Sequence, residues 1–297
     1  MHIHVVVTSF NEPATIGKAV EQILLPNRQL WPVLQLVVVA PDQPTLQAAQ
    51  AACQLSGFDR VRLVKDAGTG KPAALNLAVE TITKAGVGTG QDDLLILTDG
   101  DVYLQADALR KLVAGCGTNG MIGGHPVSVD ARTSMFGYYS QLFCQAAHVR
   151  RLQDASVPMS GYLYAVRADL LNKIFPIPEH VRAEDAYISN KLRALGYTGA
   201  YVPDALVYVK FPKTVADWYK QKTRSLGGNV QVSRRTRSIG QDLRLIFFPL
   251  RFATSPKELM WSIALYPLRL VLWVRIYFNA LFNRYSTGLW ARVESSK

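Results

Sequence analysis

The sequence has no cysteine pair at metal-binding or disulfide-framework spacing. Its three cysteines, Cys53, Cys116 and Cys144, stand far apart and form no CxxC. That excludes a zinc ribbon and a disulfide-stapled scaffold, and it fits a reducing compartment. No repeat and no low-complexity tract is present, and an apolar content of 49% excludes a disordered chain. The opening "MHIHVVVTSFNE" has no charged segment followed by a long apolar one; it reads as a strand, and no leader peptide is expected there. Acid is scarce in one region only. Residues 201–297 hold 16 Lys and Arg against 5 Asp and Glu, whereas the first 200 residues hold 17 of each sign. The whole net charge of +11 therefore sits in the last third. Such segregation implies an anionic partner: nucleic acid, a phosphorylated substrate or acidic lipid.

What is present is an alternation of short β-branched runs with helical stretches. Strands are predicted at 3–10, 33–40, 60–66 and 93–99, with helices at about 13–25, 45–57 and 71–86 between them. At 297 residues, this reads as one α/β body with an appendage, its sheet mainly parallel and flanked by helices. Ligands of such sheets bind beyond the carboxyl ends of the strands. "SFNE", "APD", "DAGTGK" and "DGD" all fall at such ends, so one site can collect all four.

Each of these stretches has a structural reading and a chemical one. Ser9 or Asn11 can cap a helix, with Glu12 favoured by its dipole, or the three can line a ligand cleft. Gly68 and Gly70 permit close backbone approach, and Lys71 at a helix N-terminus can offset phosphate charge, or simply be solvated. Asp99 and Asp101 follow a buried strand directly. They form either a turn or a clamp for a hard divalent cation such as Mg²⁺ or Mn²⁺. Glu184 and Asp185 precede a helical stretch, where acid favours the dipole or serves as a base.

Taken in order, "SFNE", "GTGKPAALN", "DGD", "SGYLYAVR" and "AEDAYIS" resemble the motifs of the inverting family 2 glycosyltransferases of GT-A fold. The resemblance spans roughly residues 3 to 225. It implies a nucleotide-sugar donor, UDP-linked, in a cleft lined by Ser9, Asn11, Glu12, Asp42, Lys71 and Asp99. It further implies a metal held by Asp99 and Asp101, Asp185 as catalytic base beside Glu184, and Gly161 on the acceptor side. "QKTRS" is similar to the Q/R-x-x-R-W motif of membrane-bound members such as cellulose and hyaluronan synthases. Gln221 then falls on the acceptor side and Arg224 pairs with pyrophosphate, as a guanidinium suits. Ser225 stands where that motif has tryptophan, and "APDQP" where the family commonly has "DDGS".

The expected division is a GT-A domain at 1–225, with a nucleotide-sugar half (1–101) and an acceptor half (102–225), and a basic, apolar helical region at 226–297. Within the last, residues 259–282 are long enough to span a bilayer, but Pro267, Arg269 and Arg275 interrupt them. On a helical wheel Ser262, Arg269, Arg275, Asn279 and Arg284 share one half. That predicts a helix lying in the membrane interface with its arginines towards headgroups. Trp261, Trp273 and Tyr277 suit the same place, and Arg234, Arg235, Arg237, Arg244 and Arg251 add attraction to anionic lipid. A buried helical hairpin or a dimer surface is the other reading. The expected setting is the cytoplasmic side of a membrane, peripheral or monotopic, with a lipid-linked or glycan acceptor. The rival function is an inactive nucleotide-binding scaffold serving as a basic lipid- or nucleic-acid-binding module. Against nucleic acid, the aromatic residues sit in an apolar run rather than between the basic ones.

Overall fold

Runs of consecutive apolar residues set the centre of the sheet. Strands β1 (Ile3–Thr8), β2 (Leu34–Ala40) and β4 (Leu94–Asp99) are buried along nearly their whole length, and β3 (Val61–Lys65) forms an edge. The computed structural model describes residues 1–86, 90–154, 157–232 and 246–282. Successive strand residues point to opposite faces. Val5, Val7, Leu36 and Val38 accordingly enter one core cluster, while Val6, Val37, Val39 and Leu97 enter a second on the other face. Helices α1 (Pro13–Leu24) and α2 (Gln43–Ser56) cover the first face and α3 (Lys71–Lys84) the second. Strands covered on both sides need no polar alternation, which is why they read as unbroken apolar runs. The bounds of all seven elements lie within two residues of those expected.

Strands β1 to β4 are mutually parallel, in the order β3-β2-β1-β4. The chain winds outward from β1 to β3 and then returns to place β4 on the other side of β1. The crevice between β1 and β4 is thus a topological switch point, where open α/β sheets receive ligands. Its two lips are set by register: Thr8 lies opposite Asp99.

After β4 the pattern changes. The sheet continues through β7 (Leu163–Arg167), β6 (Met121–Ser128), β8 (Gly199–Val209) and the two-residue β5 (Tyr103–Leu104), with β7 antiparallel to both β4 and β6. Helices α4 (Ala108–Ala114), α5 (Met135–Gln153), the short α6 (Leu171–Ile174), α7 (Glu184–Ala194) and α8 (Val215–Val232) fill the connections.

A third apolar cluster joins the C-terminal region to this body. Helix α9 (Phe248–Phe252) and the 26-residue α10 (Pro256–Leu281) pack on α5 and α8 through Tyr138, Tyr139, Leu142, Trp218, Leu265 and Leu272. Polar ties fix the register. Tyr139 donates to the Trp261 carbonyl at 2.7 Å and Tyr219 to that of Leu268 at 2.8 Å. Arg132 grips the first turn of α10 through two bonds to Glu258, at 2.9 and 2.6 Å, and a third to the Phe252 carbonyl. Glu258 also accepts from the backbone and hydroxyl of Thr254.

This packing corrects the orientation expected for the helix at 259–282. Ser262 does not face headgroups: it is fully buried, bonded to the Tyr138 hydroxyl and the Pro249 carbonyl. Arg269 is half-buried on the side facing α8, and Trp261 and Trp273 pack against the third cluster. The face left outward is apolar, with Met260, Ile263, Leu270, Val271, Val274 and Tyr277 each 56–66% exposed, and Arg275 beside them. Arg234, Arg235, Arg237, Arg244 and Arg284 lie outside the described residues; Arg251 is exposed on α9. Among the described residues one helix, Pro256–Asn279, is long and apolar enough to cross a membrane.

The Arg132 bonds and the Thr254 cap hold Glu258 down to about 2. A carboxylate with a depressed folded-state pKa stabilises fully above its unfolded value, near 4.5, and the contribution fades as pH falls from there towards 2. Glu258→Ala is expected to weaken docking of α10 by about 1–3 kcal/mol at neutral pH, since charged hydrogen bonds are lost. Hydrogen exchange should speed up in Pro256–Leu281 while β1–β4 stay protected, and the mutant's deficit should shrink below pH 4.

Candidate active site

The crevice beyond β1 and β4 opens into a cleft whose lining includes Ser9, Glu12, Lys71, Asp99, Asp101, Gln221 and Arg224. Seven expected residues therefore meet around one space. At its entrance Ser9 donates to Glu12 at 2.7 Å, so the two side chains brace each other across the turn from β1 to α1. Asn11 and Asp42 do not line the cleft. Asp42 caps α2 by accepting from the Thr45 backbone and also accepts the Asn11 backbone N–H, both at 2.9 Å. Asn11 sits at φ +54°, a left-handed bend that asparagine tolerates. Together they shape the rim.

Asp66, at the end of β3, was not among the expected residues. It faces the cleft, accepts from the Gly68 backbone through Oδ2, and its buried Oδ1 has no partner among the described residues. Burial raises its pKa. Its signal in the sequence is the one Asp99 carries: an acid directly after an apolar strand.

The "DGD" turn follows β4. Gly100 is required by space, since a Cβ there would stand 2.5 Å from Ser9 Oγ and 2.8 Å from Ile16 Cδ1. Asp99 Oδ1 accepts from Thr8 at 3.1 Å and pairs with Lys71 at 2.7 Å. Burial raises the Asp99 pKa, Lys71 opposes that, and Asp101 reinforces it.

Lys71 departs from the role expected of it. Its ammonium is not directed at open space but is held 2.7 Å from Asp99, 2.8 Å from Glu184 and 3.3 Å from the Gly161 carbonyl. Burial alone would depress its pKa; the two carboxylates outweigh it and hold the pKa well above the usual lysine range. Glu184 is thereby committed to an ion pair.

Asp185 is the second acid in the first turn of α7. Burial first, and the adjacent Glu184 second, push it up to about 6, while the Lys71 charge and the Ala186 N–H, 2.8 Å from Oδ1, pull it down. Gly161 makes room for it: a Cβ at 161 would meet Asp185 Oδ2 at 3.2 Å and Glu184 Oε1 at 3.4 Å. Gly161, Glu184 and Asp185 are not among the residues that line the cleft, and Lys71 links Glu184 and Gly161 to it. A carboxylate poised near 6 can take a proton at neutral pH.

Among the described residues no group of three or more His, Cys, Asp or Glu side chains is arranged to hold a metal ion. The candidate pair is Asp99 and Asp101, both facing the cleft. Two carboxylates suit a hard cation that completes its shell with water and substrate phosphate.

A family profile described as Glycosyltransferase like family 2 matches residues 2–228. The chain is 23% identical over 248 residues to the probable glycosyltransferase YdaM of Bacillus subtilis, covering 77% of this chain and 56% of that protein. It is 29% identical over 128 residues to the O-antigen chain rhamnosyltransferase RfbN of Salmonella typhimurium, covering 39% and 40%. The chain thus spans about half the length of the curated relatives it matches. Among solved structures it is similar to the mannosyltransferase PcManGT of Pyrobaculum calidifontis in complex with GDP-Man and Mn²⁺, at TM-score 0.60 and 19% identity over 96% of this chain and 81% of that one. It is also similar to glucosyl-3-phosphoglycerate synthase of Mycobacterium tuberculosis with Mn²⁺, UDP and phosphoglyceric acid, at TM-score 0.52 and 20% identity over 80% of each. The fold is that of the GT-A glycosyltransferases, and with three quarters of its length matched by one profile the chain belongs to glycosyltransferase family 2.

Proposed function

We propose that this chain transfers a sugar, with inversion, from a nucleotide diphosphate donor to an acceptor hydroxyl. The observation that carries the reading is the single cluster in which Lys71 ties the cleft carboxylate Asp99 to the α7 acids beside Asp185. The relatives' complexes with GDP-Man and with UDP support a nucleotide diphosphate, and the family motifs favour UDP. RfbN's name supports a glycan acceptor, and a lipid-linked one fits the apolar outer face of α10. The division into a transferase domain at 1–225 and a membrane-associating region at 226–297 follows the same lines.

In this reading Ser9, Glu12 and Asp66 hold the nucleoside, Arg224 pairs with the diphosphate, and Gln221 and Gly161 belong to the acceptor side. Asp99 and Asp101 would hold Mg²⁺ or Mn²⁺, which supplies Lewis-acid stabilisation of the charge growing on the departing nucleotide. Asp185 removes the proton of the acceptor hydroxyl as that oxygen attacks the anomeric carbon opposite the leaving group. Glu184 and Lys71 fix the position of that base and balance its charge.

Asp101→Asn is expected to keep the fold and lose metal-dependent nucleotide release by well over tenfold, since several kcal/mol of transition-state stabilisation go with the metal. Retention of more than about a tenth of wild-type release would remove Asp101 from the metal site.

Because the carboxylate form of Asp185 is the base, kcat/KM should be half-maximal near pH 6, level off above about pH 7 and fall towards lower pH. Asp185→Asn should lower turnover by roughly 10²–10⁴-fold and abolish that fall, with nucleotide affinity little changed. Loss of affinity with surviving turnover would place the base elsewhere.

The outer face of α10 is proposed to rest on a cytoplasmic membrane surface, where apolar burial and attraction of the basic residues act together. Salt screens only the second over about 10 Å at 0.1 M. High salt should therefore release the protein partly and detergent fully. Full release by salt alone would assign this face to a protein–protein contact; resistance to alkaline carbonate would mean that α10 spans.

A further inference from the structure

The segment that leads into β7 touches two cavities. Tyr162 lines the donor cleft, and Met159 lines a second cavity together with Arg151, Leu152, Asp154, Val157 and Tyr201. Asp185 packs on the residue between them, since a Cβ on Gly161 would stand 3.2 Å from its Oδ2. The segment is pinned to α7 here: Met159 donates its backbone N–H to Ser189 Oγ at 3.3 Å, and Ser189 donates to the Asp185 carbonyl at 2.7 Å. The proposed base therefore sits on the short stretch of chain that joins the two cavities.

Arg151, in the last turn of α5, is the one cation among the described residues that line the second cavity. Its guanidinium is held in place: Nε donates to the Pro158 carbonyl at 3.2 Å, and the group lies 5.9 Å over the Tyr201 ring. Tyr201 is itself tied, its hydroxyl sharing a 2.8 Å hydrogen bond with His148 Nδ1, and His148 stacks on His125 at 4.1 Å. The two Nη groups have neither an acceptor nor a carboxylate partner among the described residues. Asp154 lines the same cavity, but its own interaction is not with Arg151. Burial pulls Arg151 below the usual arginine range, opposed by Tyr201 and then Asp185, so this cation and the base feel each other's charge. Burial also favours the neutral forms of His125 and His148. A half-buried guanidinium with unmet donors is costly as it stands.

We infer that the second cavity seats the acceptor, and that Arg151 takes an anionic group on it, a carboxylate or a phosphate, while Asp185 faces the hydroxyl to be glycosylated. Anchoring Nε on Pro158 fixes the plane of the guanidinium and leaves its Nη groups for the ligand. Such a fork matches either oxyanion through two parallel N–H bonds, which a single neutral hydroxyl cannot accept together. The substrate class is thus a hydroxyl compound that carries its own negative charge, such as a uronic acid or a sugar phosphate. The inference rests on the transferase reading only in naming the occupant an acceptor; the anion site stands on the cavity and on Arg151.

The test labels the full chain with phenylglyoxal and follows modification of Arg151 by peptide mass spectrometry. All samples contain UDP and Mn²⁺ at equal ionic strength, and they differ in carrying glucose, glucuronate, glucose 6-phosphate or sodium chloride alone. The three sugars differ only in the group at their last carbon. Glucuronate, glucose 6-phosphate or both should slow labelling, by about tenfold at ten times the dissociation constant, while glucose and chloride leave it unchanged. Protection by one alone identifies the oxyanion. Failure of Arg151 to label in chloride, or equal labelling in all four samples, overturns the anion site. Equal protection by glucose overturns recognition of charge. The protecting anion should give a saturation-transfer NMR signal with the wild type, a weaker one with Arg151→Lys and none with Arg151→Gln. An undiminished signal with Arg151→Gln overturns the role of that residue. Nucleotide release is measured alongside. Protection without release from any nucleotide-sugar keeps the anion site and overturns the transferase reading, and release without protection does the reverse.

Discussion

The buried ammonium of Lys71 is the contact on which the rest of the site depends. It comes from the first residue of α3, yet it reaches Asp99 at the end of β4, Glu184 at the start of α7 and the backbone of Gly161 before β7. Three segments from both halves of the domain are thereby fixed to one point. The arrangement is strongly coupled: removing the lysine leaves two nearly buried carboxylates beside Asp185, and removing either carboxylate leaves a buried cation. Breaking a buried pair on one side costs far more than the pair itself contributes. Burial and the adjacent Glu184, opposed by this ammonium, therefore hold the Asp185 carboxyl near 6.

The sheet supplies the rigid frame. Because β1 and β4 are covered on both faces and locked to each other from Ile3–Leu94 to Thr8–Asp99, the residues just beyond them can carry polar groups without losing position. Small residues then admit the close approaches: Gly100 under Ser9 and Ile16, and Gly161 against Asp185. A glycine pair in α8 does the same from the other side. A Cβ on Gly228 would stand 3.1 Å from the Ala183 backbone, so α8 presses directly on the residue that precedes Glu184.

Much of this was legible in the chain because it is local. Four apolar runs each ending in a polar residue mark strands and their ligand ends, and "DGD", "GTGK" and "AED" fall where the fold needs them. What was not legible depended on distant partners. Asp42 and Asp66 both follow strands, and only tertiary packing shows that the second oxygen of Asp42 is taken by the Asn11 N–H while Asp66 keeps a bare oxygen towards the cleft. Lys71 reads as a phosphate ligand until Glu184, 113 positions away in the sequence, is seen beside it. The helical wheel of 259–282 failed for a related reason. It took serine and arginine as marks of the wet side, but Ser262 is satisfied inside the protein by Tyr138 and Pro249. A polar residue with an internal partner carries no information about solvent.

That inversion changes the physics of the C-terminal region. A helix with its arginines outward would be drawn to a membrane mainly by charge. The observed helix turns a row of Leu, Ile, Val and Met outward and keeps Arg269 against α8. Each such side chain removed from water would contribute about 1.5–3 kcal/mol at full burial, so apolar burial would outweigh charge on any surface that this face meets. Arg132 and Glu258 then matter beyond stability. They set the angle at which α10 leaves the body, and α8, packed between α10 and the cleft, lies between any surface that α10 meets and the residues Gln221 and Arg224. The face of α8 packed against α10 and the face that lines the cleft are thus two sides of one helix.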